Sequence, residues 1–199
     1  MRTDNDTNDL LASIGSCLNV WSKVEDEITK LFMLIHGQPW NDYRHPLRAA
    51  FEAVVSLETR LSMIRASVAA DQTLSQPYAR HFNSLYNRVT RSYKKRHQVA
   101  HFSLVMREDG EGAKSILARP FFNWASFEDN LGTELDARQI GERQAGFLNL
   151  CVRIQQHRQY VGDKKGLPSG HFARAGDLVH PDLDEDGQNP EGPPPPPQS

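Results

Sequence analysis

The sequence predicts an all-α fold, an antiparallel four-helix bundle with a small β-hairpin insertion and a disordered C-terminal tail. Four long stretches repeat apolar residues at steps of three and four, which is the period of an amphipathic helix. Turns that contain glycine, proline or aspartate separate these stretches. Helices of six or more turns bury such apolar stripes by packing side by side, so these observations favour a bundle.

The first two predicted helices fill the N-terminal part of the chain. The first covers residues 9–36 and is stopped by Gly37 and Pro39. The second begins at Pro46, a suitable first-turn residue, and runs to Ala70. Its predicted buried stripe consists of Leu47, Phe51, Val54, Leu57, Leu61, Ile64 and Val68.

The third predicted helix follows a turn at 71–77 and ends near His101 or Phe102. After it the period changes, and residues 103–107 and 114–121 flank a glycine-containing turn, which predicts a β-hairpin. Thr133 and Asp136 resemble a capping box, so the fourth helix is predicted over 134–161. The aromatic residues between hairpin and helix are predicted to pack on the bundle: Phe121, Phe122, Trp124 and Phe127.

Residues 1–161 therefore form the predicted helical domain, and residues 162–199 an acidic, proline-rich, disordered tail. The whole chain has a formal charge of −2. The stretch 177–199 has no Lys or Arg, and without its six acidic residues the remaining chain is at +4. A mildly basic body is compatible with a polyanionic partner. The tail is then either a passive extension or a polyanion mimic that folds over a basic cleft.

Several features predict a cytoplasmic protein. The polar N-terminus lacks the apolar stretch of a signal peptide, and no apolar run approaches the ~20 residues that span a bilayer. Cys17 and Cys151 fall on apolar helix faces, as expected for buried thiols in a reducing compartment.

The segment 88–102, RVTRSYKKRHQVAHF, contains the residues with the clearest chemical potential. Arginine matches phosphate oxygens, and histidine transfers protons near neutral pH. An Arg followed by a His with four to six residues between them occurs three times in the chain, and chance predicts about two such pairs. The pair Arg174 and His180 lies in the tail, where nothing holds a catalytic geometry. Arg96 and His101 instead lie on a helix that must pack in the core.

The stretch RHQVAHF resembles the motif of the HEPN superfamily, an Arg, then Asn, Asp or His, then further residues to a His. Arg96, His97 and His101 occupy these three places, and the likeness in helical plan extends over residues 9–161. The resemblance implies a HEPN-type bundle that cleaves RNA without a metal or other cofactor, at a composite site across a homodimer. It also implies a setting in defence or a toxin–antitoxin system, with an antitoxin or regulatory protein as a possible partner.

The resemblance also implies a role for each residue. His101 would take the proton from a ribose 2′-OH, and His101 of the partner subunit would protonate the leaving 5′-oxygen. Arg96 would hold the phosphate, and His97 would orient the substrate or Arg96. RNA is the expected substrate because DNA lacks the internal nucleophile.

Helix geometry constrains this site. Residues five apart on an α-helix point about 140° away from each other. Arg96 and His101 therefore share no face of a regular helix. Either the helix frays near Ala100, or two chains contribute to the site, as a two-fold dimer allows.

The remaining polar residues of the segment have two interpretations. Arg88, Arg91, Lys94 and Lys95 are a predicted track for the RNA backbone, or the solvated C-terminal part of a helix, where cations interact favourably with the dipole. Tyr86 and Tyr93 either stack on bases or pack in the core. The alternative function is a non-catalytic HEPN-like module that binds RNA, a nucleotide or a protein.

No metal site is predicted. Four other histidines have no metal-ligand spacing with Cys, Asp or Glu, so structural or surface roles are expected for His36, His45, His81 and His157.

Overall fold

The computed structural model describes residues 2–109, 112–118 and 134–168. Five helices and one two-stranded antiparallel sheet occur in these ranges: α1 Arg2–Ile35, α2 Pro46–Glu52, α3 Leu57–Ala70, α4 Gln76–His101, β1 Ser103–Asp109, β2 Gly112–Ala118 and α5 Ala137–Lys165. The predicted helical character and the β-hairpin are confirmed. The predicted aromatic packing of residues 121–127 and the tail after Pro168 lie outside the described residues.

The predicted second helix is two helices, because the chain leaves the helical path between Glu52 and Leu57. Ser56 is in an extended conformation, and its side chain accepts a hydrogen bond from the backbone N–H of Thr59, which starts α3. Arg60 donates through Nε to the carbonyl of Val54 at 2.6 Å, and so gives a hydrogen bond to a carbonyl that lies in the break between the two helices. The prediction of one continuous helix was wrong because the apolar spacing continues across the break.

The two longest helices run parallel, not antiparallel as predicted. On α1 and α5, Trp21 contacts Phe147 with ring centroids 5.0 Å apart, and further along both helices Glu27 contacts Arg158. Helix α4 runs antiparallel to α5, since Tyr78 stacks on Tyr160 while Lys95 meets Arg143. The most extensive helix–helix contact joins α1 to α5. A bundle of antiparallel neighbours therefore does not describe this fold.

The hairpin packs against the N-terminal part of α1 and leads into α5. Ser115 lies opposite Met106 in the hairpin, and its hydroxyl is 2.7 Å from that of Thr7 on α1. A single bridge joins Leu117 of β2 to Leu135, so the chain is held in place just before α5 begins.

Helix α5 starts three residues later than predicted and ends four residues later. Asp136 is the N-cap, and it forms a capping box with Gln139; the predicted cap, Thr133, lies outside the described residues. At the other end the helix continues past Val161 to Lys165, because Gly162 is buried inside it rather than ending it. Gly166, with φ at +64°, ends the helix in the left-handed conformation that glycine adopts readily.

The core contains a charged pair as well as apolar side chains. Arg158 Nη1 lies 3.3 Å from Glu27 Oε2, and the two side chains are 1% and 6% exposed. Glu27 also accepts a hydrogen bond from Lys30 at 3.0 Å. Arg158 further lies over the ring of Trp40, 5.0 Å from its centroid. This group ties α1, α5 and the linker after α1 together.

Cys17 and Cys151 are free thiols and are both buried, as predicted. Burial raises the pKa of both, and that of Cys151 reaches about 11. Among the helices in the described ranges, none combines the length and apolarity needed to cross a membrane.

Candidate functional site

Helix α4 holds all seven residues predicted for RNA binding and cleavage. It remains helical through His101, and the N–H of Phe102 still donates to the carbonyl of Gln98. The helix therefore does not fray near Ala100, so one of the two geometric solutions for Arg96 and His101 is wrong. Within one chain these two residues stay on different sides of a regular helix, about 140° apart.

His97 and His101 form a pair at the C-terminal end of α4. They are four residues apart, so one lies above the other on the same side of the helix. Their ring centroids are 4.1 Å apart and the ring planes are inclined by 44°. Both side chains are exposed. The pair therefore offers two imidazoles in contact with each other and with solvent.

A chain of aromatic contacts connects this pair to the core. Tyr93 lies 6.5 Å from His97 and 6.0 Å from Trp21, measured between ring centroids. Trp21 is buried and its Nε1 donates to Glu25. Tyr93 and Tyr86 are partly buried and pack against the core, and Tyr86 lies beneath the guanidinium of Arg65. These contacts favour core packing over base stacking for the two tyrosines.

Arg96 faces the interior instead. It follows Phe82 and Val89 at intervals of seven residues, which places it on the buried stripe of α4. The residue is half-buried, and its Nε is shielded from solvent without a hydrogen-bond partner among the described residues. Arg96 is thus a cation at a position where the other members of the stripe are apolar.

The outer side of α4 carries the predicted RNA-binding residues. We call Arg88, Arg91, Lys94 and Lys95 the cationic face of α4. Their spacings of three, four and seven residues place them on one side of the helix, with Arg91 and Lys94 most nearly opposite the buried stripe. Arg91, Lys94 and Lys95 are exposed, whereas Arg88 is half-buried.

Arg143 is a residue of this region that the sequence analysis missed. From α5 it donates through Nη1 to the backbone carbonyl of Lys95 at 2.9 Å, and so fixes α5 against the last turns of α4. Burial lowers the pKa of Arg143 from its ordinary value, although interaction with Cys17 opposes the shift. Its position four residues before Phe147, on the buried stripe of α5, was the available signal.

The other histidines have local roles. His36 lies 3.0 Å from the hydroxyl of Ser67, and His45 caps α2 by accepting from the N–H of Leu47. His157 packs against Tyr78, and burial lowers its pKa to about 4. Within the described part of the chain, no group of three or more His, Cys, Asp or Glu is arranged to hold a metal ion.

Comparisons with known proteins give no family assignment. No family model matches the chain, and no curated protein or solved structure matches it. The resemblance to the HEPN superfamily therefore stays a prediction, based on Arg96, His97 and His101.

Proposed function

We propose that this protein is a metal-independent endoribonuclease of the HEPN type that acts as a homodimer. The observation that carries the proposal is the exposed pair His97 and His101, which lies at the end of the helix that bears the cationic face. Exposed imidazoles supply a general base and a general acid near neutral pH. The lysines and arginines beside them supply attraction for the phosphate backbone.

The contact within the pair supports a site built from two chains. With ring centroids 4.1 Å apart, His97 and His101 leave no room for a phosphate between them. Base and acid must approach the phosphate from different sides, so they cannot be these two rings in this arrangement. A two-fold dimer supplies the second imidazole as His101 of the partner subunit.

The chemistry assigned to the site is an internal transfer. His101 removes the proton of the 2′-OH, and the resulting oxygen attacks the adjacent phosphorus. The bond from phosphorus to the 5′-oxygen breaks, and His101 of the partner subunit gives its proton to that oxygen. The products are a 2′,3′-cyclic phosphate and a free 5′-OH. His97, in ring contact with His101, positions it, and Arg96 stabilises the charge that grows on the phosphate.

The test is incubation of the purified full chain with RNA in EDTA. We expect cleavage with 2′,3′-cyclic phosphate ends, lowered about 10²–10⁴-fold by His101→Ala. Arg96→Ala should lower cleavage by at least about 10²-fold. The control is His36→Ala, which removes an exposed histidine directly after α1 that contacts Phe32 and Ser67. Cleavage that survives both His101→Ala and Arg96→Ala would refute the assigned site.

The position of Arg96 favours a second candidate, a HEPN-like module that binds RNA without cleaving it. A half-buried arginine on the core stripe of α4 is in place for packing rather than for contact with a phosphate. This candidate predicts RNA binding that falls when Arg91 and Lys94 are neutralised, and no cleavage by the wild-type chain. A place in defence or toxin–antitoxin biology, with an antitoxin as partner, belongs to the first candidate.

A further inference from the structure

Helix α4 has an unusual charge composition. Its 26 residues include six Lys or Arg and three His, but no Asp or Glu. A helix of this kind cannot neutralise its cations through pairs at three or four residues, which α1 and α5 both use. Any neutralisation of α4 must come from another segment or from a ligand.

The described part of the fold supplies no such partner to the exposed part of the cationic face. Arg91, Lys94 and Lys95 form no ion pair with any described residue. Exposed cations on β1 and β2, in contrast, are paired: Arg107 with Glu134 and Lys114 with Asp136. The three cations of α4 therefore form a contiguous unneutralised surface.

The same chain contains a segment of opposite charge. Residues 182–191, which we call the acidic segment, hold five carboxylates and no Lys or Arg: Asp182, Asp184, Glu185, Asp186 and Glu191. Asp182 follows Pro168, the last described residue, by fourteen positions. An unconstrained chain of fourteen residues spans about 20 Å on average and about 50 Å at most.

The cationic face lies within that reach. Tyr160, near the end of α5, stacks on Tyr78, near the start of α4, with ring centroids 4.8 Å apart. Arg91 and Lys95 follow Tyr78 by 13 and 17 residues, which is about 20 and 25 Å along the helix. Because α5 runs antiparallel to α4, its five residues after Tyr160 carry the chain about 8 Å further from the cationic face. The distance to be covered is therefore about 30 Å, which is longer than the average span of the connecting chain but well within its maximum. The effective concentration of the acidic segment at the face is on the order of millimolar.

We propose that the acidic segment docks on the cationic face of α4 within the same chain and competes there with RNA. The docking follows from charge and reach alone, whereas its regulatory meaning rests on the proposed function. Salt weakens it, because the interacting charges are exposed and are screened within about 10 Å at 0.1 M ionic strength.

The test measures the acetylation rates of Lys94 and Lys95 in the full chain by mass spectrometry, with the exposed Lys23 of α1 as internal reference. The variant carries Asp184→Asn, Glu185→Gln and Asp186→Asn. A control variant of equal net charge carries the exposed changes Asp9→Asn, Glu58→Gln and Asp163→Asn. At low salt we expect Lys94 and Lys95 to react roughly two- to fivefold faster in the first variant. The control variant should match the wild-type chain.

Several outcomes would overturn the docking. Equal rates in the wild-type chain and the first variant at low salt would do so, as would protection that grows with protein concentration or appears only when RNA is added. Protection that persists at about 0.5 M salt would show that charge does not drive it. The acetylation rates do not depend on RNA cleavage, so the two proposals can fail separately. Protected lysines in a protein that does not cleave RNA would refute the ribonuclease activity but support the docking. Unprotected lysines in a protein that cleaves RNA would refute the docking but support the ribonuclease activity.

Discussion

The buried pair of Glu27 and Arg158 allows a quantitative test of what holds α1 and α5 together. Replacing Glu27 with Gln keeps the side-chain shape and removes the negative charge that faces a guanidinium with 1% of its side chain exposed. Two unit charges at the observed 3.3 Å attract by about 5 kcal/mol at an effective dielectric constant of ~20. Desolvation of both groups offsets part of this attraction, so we expect a loss of about 3 kcal/mol in the free energy of unfolding.

Urea unfolding followed by circular dichroism measures this loss, which corresponds to about 6–12 °C in Tm for a domain of this size. The matched control is Glu142→Gln, because Glu142 pairs with Arg138 on the surface of α5 with the side chains 61% and 74% exposed. Its expected cost is below about 1 kcal/mol. Equal costs for the two variants would refute the reasoning. The double variant Glu27→Leu, Arg158→Met should regain most of the lost stability, since it leaves no buried charge.

Two further predictions concern single side chains. Arg96→Met removes a shielded nitrogen without a partner among the described residues, so urea unfolding should show unchanged stability or a gain of about 1 kcal/mol, while RNA cleavage falls by at least about 10²-fold. A loss of stability with cleavage intact would contradict this. Burial, with the charges of His81 and Arg153, lowers the pKa of His157 to about 4. The unfolded imidazole binds its proton at about pH 6.5, so stability should fall by up to about 3 kcal/mol from pH 6.5 to 4, and less steeply in His157→Gln. An unchanged slope in that variant would exclude His157 as the cause.

The sequence predicted those parts of the fold that depend on local periodicity. The C-terminal ends of α1 and α4 were placed within one residue, because Gly37 and Phe102 follow strong apolar stripes. The start of α1 was placed at residue 9, seven residues too late, because the polar residues of its first turns carry no apolar period. The break between α2 and α3 was missed, since Phe51, Leu57 and Leu61 keep a helical spacing across it. The signal was Ser56, an N-cap residue in the middle of an apparent helix.

The relative direction of the helices could not be predicted from the sequence. Parallel and antiparallel packing of α1 on α5 bury the same apolar stripes, and the choice depends on where the hairpin returns the chain. The candidate site was likewise predictable only where it depends on local helix geometry. The angular separation of Arg96 and His101 follows from helix geometry, and so does the contact of His97 with His101. The spacing of Arg143 from Phe147 places it on the buried stripe of α5, but its bond to the carbonyl of Lys95 depends on tertiary packing and cannot be inferred from that spacing.

The parallel contact between the first and last helices has a consequence for biosynthesis. Trp21 contacts Phe147, which follows it by 126 residues, so the ribosome makes this partner of α1 only after α2, α3, α4 and the hairpin. At about 5–20 residues per second, the apolar side of α1 waits roughly 6–25 s before Phe147 is made, and longer until it leaves the exit tunnel. During that interval the part of Trp21 that Phe147 covers in the finished fold is open to chaperones and to neighbouring nascent chains.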